Sequence, residues 1–219
     1  MQKRTIKFGS YDTAEHGWTL GLWTLTAPEQ KTNYVEKSGG DGSWDLSTAH
    51  TDGIPRYRDR TLTVPLECSE GTREDREELI NEMVNTLDGL EWKVTLPDRP
   101  DHYLFGRLHV AVDYSDLAHA MVTVTGTVEP WLYKSRETVV ELTATDTTQT
   151  AHIRNSGRRA VVPRLTSTGS IKVKFEGVSA ELAAGSYEWP ALLLRPGLHE
   201  LEYRGLGALT ITYREAVLR

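Results

Sequence analysis

TREDREELINEMVNTLDGLEWKVTL, from Thr72 to Leu96, carries the one convincing helical pattern in a chain of 219 residues. Thr72 stands where a helix cap is wanted. Asp75, three residues on, takes the place of the usual glutamate of a capping box. Four of the six residues from Arg73 to Glu78 are acidic, which suits the positive end of the helix dipole. Leu79, Ile80, Met83, Val84 and Leu87 recur at helical spacing and form one apolar stripe. Its burial is worth roughly 8–15 kcal/mol gross, before ordering entropy. Gly89 predicts a left-handed stop. Beyond it, Glu91 to Leu96 alternates like a half-buried strand, with Trp92, Val94 and Leu96 on one face. The other patterned segments read as strands, so this helix has to cover a sheet.

Upstream, residues 3–8 predict a first strand, and Trp18 to Leu25 a second. Thr32 to Glu36 is a short strand. Lys37 to Pro55 is the least structured part, with the flexible run Ser38-Gly39-Gly40-Asp41-Gly42-Ser43 at its head. A loop of this length in a compact domain is usually functional or mobile. Trp44 within it is costly to leave in water, so it meets either a partner or its own core. Tyr57 to Cys68 is a clear strand with Leu62, Val64 and Leu66 on one face. Arg58 and Arg60 crowd its start on one side, placed to bind carboxylates. Downstream, Tyr103 to Val112 is a long strand in which Gly106 marks a bulge or bend. Asp113 to His119 is a loop, and Ala120 to Val128 a further strand.

The composition shifts between Pro130 and Thr138, which predicts two domains, 1–133 and 134–219. The second has eight short candidate strands and no helical pattern: 138–145, 151–153, 161–167, 170–175, 178–182, 186–189, 197–204 and 208–214. Glycine turns separate many of them, which means an antiparallel sandwich. The fold class is therefore mainly β.

Bulk properties narrow the function. With 38% hydrophobic residues, nine Tyr and six Trp, the chain has material for a core. It holds no run of eighteen apolar residues, so no spanning helix is expected. Cys68 is the only cysteine, which excludes a disulfide framework and favours folding in the cytoplasm. The net charge of −6 argues against a general nucleic-acid binder. That charge is uneven. Residues 1–135 hold 14 basic and 22 acidic residues; residues 136–219 hold 11 and 9.

Catalytic signatures are absent. The seven histidines form no pair at helical ligand spacing, no cysteine pair exists, and no metal or cofactor site is expected. No Gly-x-Ser-x-Gly elbow marks a nucleophile. Gly39-Gly40-Asp41-Gly42 lacks the ending of a phosphate loop. Arg154, Arg158, Arg159 and Arg164 form a basic group suited to phosphate or, better in an acidic chain, to a protein partner.

The order of parts resembles the distal tail proteins (Dit) of long-tailed siphophages. The matching features are the strand from Tyr57 to Val64, the single helix, and the Gly89-Leu90-Glu91-Trp92 exit. The turn Leu96 to Tyr103 leading into Phe105-Gly106-Arg107-Leu108 matches as well, as does Val128-Glu129-Pro130-Trp131-Leu132-Tyr133 at the junction. In the second part, Ile153 to Gly157, Val162 to Leu165, Pro196 to Tyr203 and Leu209 to Glu215 resemble the family's galectin-like sandwich. The resemblance implies a structural virion protein and no enzyme. It implies a β-sandwich or barrel-like ring domain with one helix and an extended arm, followed by a galectin-like antiparallel β-sandwich.

Members form a hexameric ring at the distal end of the tail tube. It joins the tube to tail-tip, baseplate and receptor-binding proteins, and DNA passes through its channel without specific binding. By position, Lys37 to Pro55 is the arm. The expected subunit-interface residues are Trp44, Asp45, Leu46, Tyr57 and Arg58. Part of the acidic excess before residue 135 would line the channel and repel DNA.

The rivals are a carbohydrate-binding module, another tail tube or tip component, and a hydrolase with no visible motif. Sugar-binding galectins carry a Trp-Gly-x-Glu pattern, whereas Trp189 here is followed by Pro190.

Overall fold

The computed structural model describes residues 5–51, 53–115 and 118–219. Lys3 and Arg4 of the expected first strand, Asp52 of the long loop, and Asp116 and Leu117 of the later loop lie outside the described residues. Backbone contacts divide the chain into two compact units, Met1–Pro130 and Trp131–Arg219.

The first unit runs β1 (Lys7–Phe8), β2 (Tyr11–Asp12), β3 (Thr19–Leu20), β4 (Thr24–Leu25), β5 (Tyr34–Glu36), β6 (Ser43–Asp45), β7 (Arg60–Cys68), α1 (Arg73–Leu87), β8 (Glu91–Thr95), β9 (His102–Asp113) and β10 (Ala120–Val128). Its main sheet is antiparallel in the order β2-β1-β8-β9-β10-β7, with β3 and β4 both on the far edge of β7. The central register sets Val64 opposite Val124, and Val124 opposite Val110. All three are buried on one face with Leu62, Leu66, Leu104, Leu108 and Val122.

The helix covers that face, lying against β9 and β10. Ile80, Met83 and Leu87 of its stripe are buried, and Leu79 and Val84 are half-buried. Both halves of the capping box form. The Asp75 N–H donates to Thr72 Oγ1 at 3.2 Å, and the Thr72 N–H donates to Asp75 Oδ2 at 2.7 Å. The helix ends at Asp88, whose backbone is extended, and Gly89 follows with φ +72°. Gly106 has a sharper reason to be glycine: a Cβ there would lie 2.2 Å from the Thr127 carbonyl oxygen on β10.

The stretch from Trp18 to Leu25 is not one strand. Pro65, in the middle of β7, has no N–H to donate, so the ladder on that edge is interrupted. β3 pairs Leu20 with Leu66 and β4 pairs Thr24 with Thr63. Between them only the Gly21 N–H reaches the Pro65 carbonyl, at 2.9 Å. Leu22 at this break is 87% exposed. Trp18 is buried and donates from Nε1 to the Tyr11 hydroxyl at 3.1 Å. His16 stacks on Tyr11 and lies 3.2 Å from Glu82 of α1. Burial pushes the Tyr11 hydroxyl pKa up to about 12.

The second unit runs β11 (Leu132–Lys134), β12 (Thr138–Ala144), β13 (Gln149–Asn155), β14 (Arg164–Ser167), β15 (Ile171–Phe175), β16 (Val178–Leu182), β17 (Gly185–Glu188), β18 (Gly197–Gly205), β19 (Gly207–Tyr213) and β20 (Ala216–Val217). Two four-stranded antiparallel sheets, β12-β19-β14-β17 and β13-β18-β15-β16, enclose the core. Ile153, Leu165, Val173, Phe175, Leu201, Leu209 and Ile211 fill it, and Trp189 packs against it. The alternation is regular: in β15, Ile171, Val173 and Phe175 are buried while Lys172 and Lys174 face water.

β11 and β20 form a small pair at the ends of this unit. They are fastened by Glu215, 3% exposed, which accepts hydrogen bonds from Lys134 Nζ and from the Ser156 N–H. Asn155 is buried beside them and is fully engaged. Its amide donates to the Arg159 and Leu194 carbonyls, and its oxygen accepts from the Gly157 N–H.

Candidate functional site

Between β4 and β7 the chain leaves the sheet and returns as a two-stranded ribbon. At its root, the Thr26 N–H donates to the Thr61 carbonyl at 3.0 Å, and buried Arg60 donates from Nε back to the Thr26 carbonyl at 2.6 Å. Further out, the Arg58 N–H reaches the Glu29 carbonyl at 2.9 Å and the Lys31 N–H reaches Arg56 at 2.8 Å. Gln30 and Tyr57 form a bridge between these contacts. The outer part is the hairpin β5–β6, a separate two-stranded sheet. The eleven residues from Thr26 to Glu36 can reach at most roughly 35 Å when fully extended.

The hairpin register decides which side chains share a face. Val35 is opposite Trp44, and Tyr34 is opposite Asp45. Successive residues alternate faces, so Val35, Lys37, Trp44 and Leu46 lie on one side and Tyr34, Glu36, Ser43 and Asp45 on the other. Trp44 is 60% exposed, Val35 45% and Leu46 41%. This is an amphipathic hairpin whose apolar face is left open. Lys37 sits on the same face, with Nζ 4.9 Å from the centre of the Trp44 ring. An isolated two-stranded hairpin is marginal in water, and grouped exposed apolar side chains mark an interaction surface.

The five residues expected at a subunit interface fall in two places. Trp44, Asp45 and Leu46 are in or beside β6. Tyr57 and Arg58 are in the stem, where Arg58 pairs with Glu29 at 3.1 Å. Asp45 accepts the Ser47 N–H at 2.9 Å, and its hydrogen bonds from Ser47 hold its carboxyl below the usual range. Arg58 and Arg60 do not act together, since Arg58 is exposed and Arg60 is buried. Lys37 to Pro55 is also more ordered than expected. Its first part is a closed turn with Gly39 and Gly42 at positive φ, which folds Ser43-Trp44-Asp45 back on Tyr34-Val35-Glu36. Val35 and Lys37 belong to the Trp44 face and were not legible as such. The signal for them was the glycine cluster between two short apolar-containing runs.

The solvent face of the main sheet is a second feature of the first unit. It forms an open concavity of about 680 Å³ lined by Asp59, Thr61, Glu91, Arg107, Thr125 and Glu129, among others. Rows of threonine cross it, Thr61 opposite Thr127 and Thr63 opposite Thr125. Arg107 is held by Glu91 at 3.0 Å and by the Gly89 carbonyl. His109 lies 2.7 Å from Asp88, which also accepts the Val110 N–H at 2.8 Å. The Val110 bond first, and then His109, hold the Asp88 carboxyl below its usual range. The carboxylates of its wall, Asp59, Glu91 and Glu129, outnumber its cations.

Among the described residues, no group of three or more His, Cys, Asp or Glu is arranged to hold a metal ion. Cys68 is buried at the end of β7. The four arginines of the basic group are dispersed. Arg154 lies on β13, Arg164 faces Glu188 across the other sheet, and Arg158 and Arg159 donate their N–H groups to Ala216. No helix among the described residues is long and apolar enough to cross a membrane.

No protein-family model and no curated protein matches the chain. A solved structure does match in three dimensions. The SPP1 Dit protein, described as a paradigm of the hub adsorption apparatus in phages that infect Gram-positive bacteria, superimposes with a TM-score of 0.70 at 13% identity. The match covers 97% of this chain and 99% of that one. From the first strand to the last, the chain has the fold of a phage Dit protein.

Proposed function

We propose that this chain is a structural component of a phage tail, a Dit-type hub protein that works as a closed homo-oligomeric ring. The expected ring is hexameric and sits at the distal end of the tail tube. There it joins the tube to tail-tip or baseplate proteins in the virion, after folding and assembly in the host cytoplasm. The observation that carries this reading is the β5–β6 arm. Its apolar face of Val35, Trp44 and Leu46 is open in the single chain, and a second copy of the same chain is the cover a ring supplies. The fold likeness over both units supports the tail assignment.

In this reading the acid-rich concavity of the first unit faces the channel. Threonine hydroxyls and carboxylates present a surface to which DNA does not adhere, because like charges repel over several ångströms. The sandwich, galectin-like in this reading, is the platform for neighbouring tail proteins. No catalytic role is proposed.

Light scattering of the purified protein, combined with negative-stain microscopy, tests the proposal. Closed rings of uniform diameter are expected. Open filaments would assign the chain to a tail tube, and a monomer at high concentration would remove the support for self-assembly through the arm.

A further inference from the structure

The two outer faces of the sandwich differ in chemistry. On β12-β19-β14-β17 the outward positions include Val139, Thr143, Thr166, Ser186, Thr210 and Thr212. On β13-β18-β15-β16 the outward positions are mostly charged, and most are matched across strands. His152 faces Glu200 at 3.7 Å, and Lys174 is held by both oxygens of Glu202 at 3.0 and 3.1 Å. One pair breaks the pattern. Lys172 on β15 is directly opposite Arg204 on β18. Both are exposed, and neither forms an ion pair among the described residues. Glu181, on the other side of Lys172 in the register, is not within bonding distance of it. Like charges directly opposite in a sheet are destabilising.

The same two cations border a shallow cup of about 220 Å³. Its rim adds Lys174 and the hydroxyl residues Thr148 and Ser179. Its one carboxylate, Glu202, is already bonded to Lys174. The cup thus presents an ammonium and a guanidinium without carboxylate partners, a third cation, and two hydroxyl donors. It offers a fork-shaped donor beside a point charge, an arrangement that can bind a phosphate through several oxygens at once.

We infer that the cup formed by Lys172, Arg204, Lys174, Thr148 and Ser179 is a binding site for a phosphate group. A phosphate monoester carries close to two negative charges at neutral pH, which matches the two unpaired cations. Binding relieves the repulsion between Lys172 and Arg204, so the pair is tolerated because it is occupied in use. This site is independent of how copies of the chain assemble.

The test is calorimetric titration of the full-length protein with inorganic phosphate and with tripolyphosphate, with sulfate as the comparison anion at equal ionic strength. Saturable binding is expected, with phosphate tighter than sulfate. The double variant K172S/R204S should weaken phosphate binding about tenfold or more, as expected for losing two charge-assisted hydrogen bonds. Its melting temperature in phosphate-free, low-salt buffer should be unchanged or higher, since a repulsive pair is gone. The variant R154S/R164S removes the same charge elsewhere in the unit and should bind normally. Three results would each overturn the site: no saturable binding of phosphate or tripolyphosphate, wild-type binding by K172S/R204S, or an equal loss in R154S/R164S. Sulfate binding as tightly as phosphate would overturn the assignment of the ligand.

Discussion

Lys37 holds its ammonium 4.9 Å above the ring of Trp44, across the turn of the arm hairpin. A cation over an exposed indole contributes about 0.5–1 kcal/mol. That is too little to hold a hairpin of two three-residue strands. The contact fixes the orientation of the indole but leaves it 60% exposed, so the remaining ring surface is available to another molecule.

Replacing Trp44 and Leu46 together by serine should leave the fold intact and abolish assembly. Neither side chain belongs to the buried core, so the melting temperature of the dissociated protein should change little. Large anchors at the centre of an interface typically cost 2 kcal/mol or more when truncated, and a ring multiplies that loss at every contact. Light scattering against concentration reads the outcome. An unchanged mass would show that the arm is not an assembly surface.

Met83 and Leu87 are 0% exposed at the centre of the helix stripe. Truncating Met83 to alanine should cost about 2–5 kcal/mol, seen as a lower midpoint in urea unfolding. Aspartate at either position would bury an unpaired charge. It should collapse the first unit and with it any assembly. Normal rings from such a variant would mean that the stripe is not the core face.

Gly106 is a position where a single methyl group should be felt. An added Cβ meets the backbone of β10 at 2.2 Å, and the backbone, unlike a side-chain tip, cannot turn aside. Gly106→Ala should destabilise by roughly 1–3 kcal/mol through strain. Gly39→Ala, at a solvent-facing turn with nothing near its Cβ, should act only through its left-handed backbone at φ +74°.

Glu215 makes a prediction about acid. Burial pushes its carboxyl upward, but the Lys134 and Ser156 hydrogen bonds outweigh that and leave it below the ordinary 4.5. A group with a depressed pKa in the folded state contributes stability that is fully present above the unfolded value and is lost as pH falls through the folded one. The second unit should therefore lose stability below about pH 4.5. Glu215→Gln should be less stable than the parent at neutral pH and should show a flatter profile on the acid side. Thermal melts between pH 3 and pH 7 check both, and a parent-like acid slope in the variant would contradict the assignment.

The helix was legible because two independent signals agree there. The Thr72–Asp75 box and the 3.6-residue stripe both describe the same segment, and the box forms as drawn. The eight sandwich strands of the second unit, β12 to β19, were legible from their glycine turns and, in strands such as β13 and β15, from clean alternation of burial. The arm was harder to read. All six residues of β5 and β6 are exposed, so no buried face imposes a pattern on the sequence. Only the glycine turn and a misplaced Trp44 betray it. The break between β3 and β4 was missed because its cause lies on another strand, at Pro65. The Lys172–Arg204 pair was invisible for a similar reason: only the register of β15 against β18 brings the two cations together.

The central claim is that the apolar face of the arm is covered by another copy of the chain. The most direct measurement places the photo-crosslinking residue p-benzoylphenylalanine at position 44 and maps the products by mass spectrometry. A mixture of isotopically heavy and light protein distinguishes links between copies from links within one. The account predicts mixed heavy–light products and a ladder of covalent multimers. Links confined to a single chain, or no link at a concentration where the protein is assembled, would contradict it.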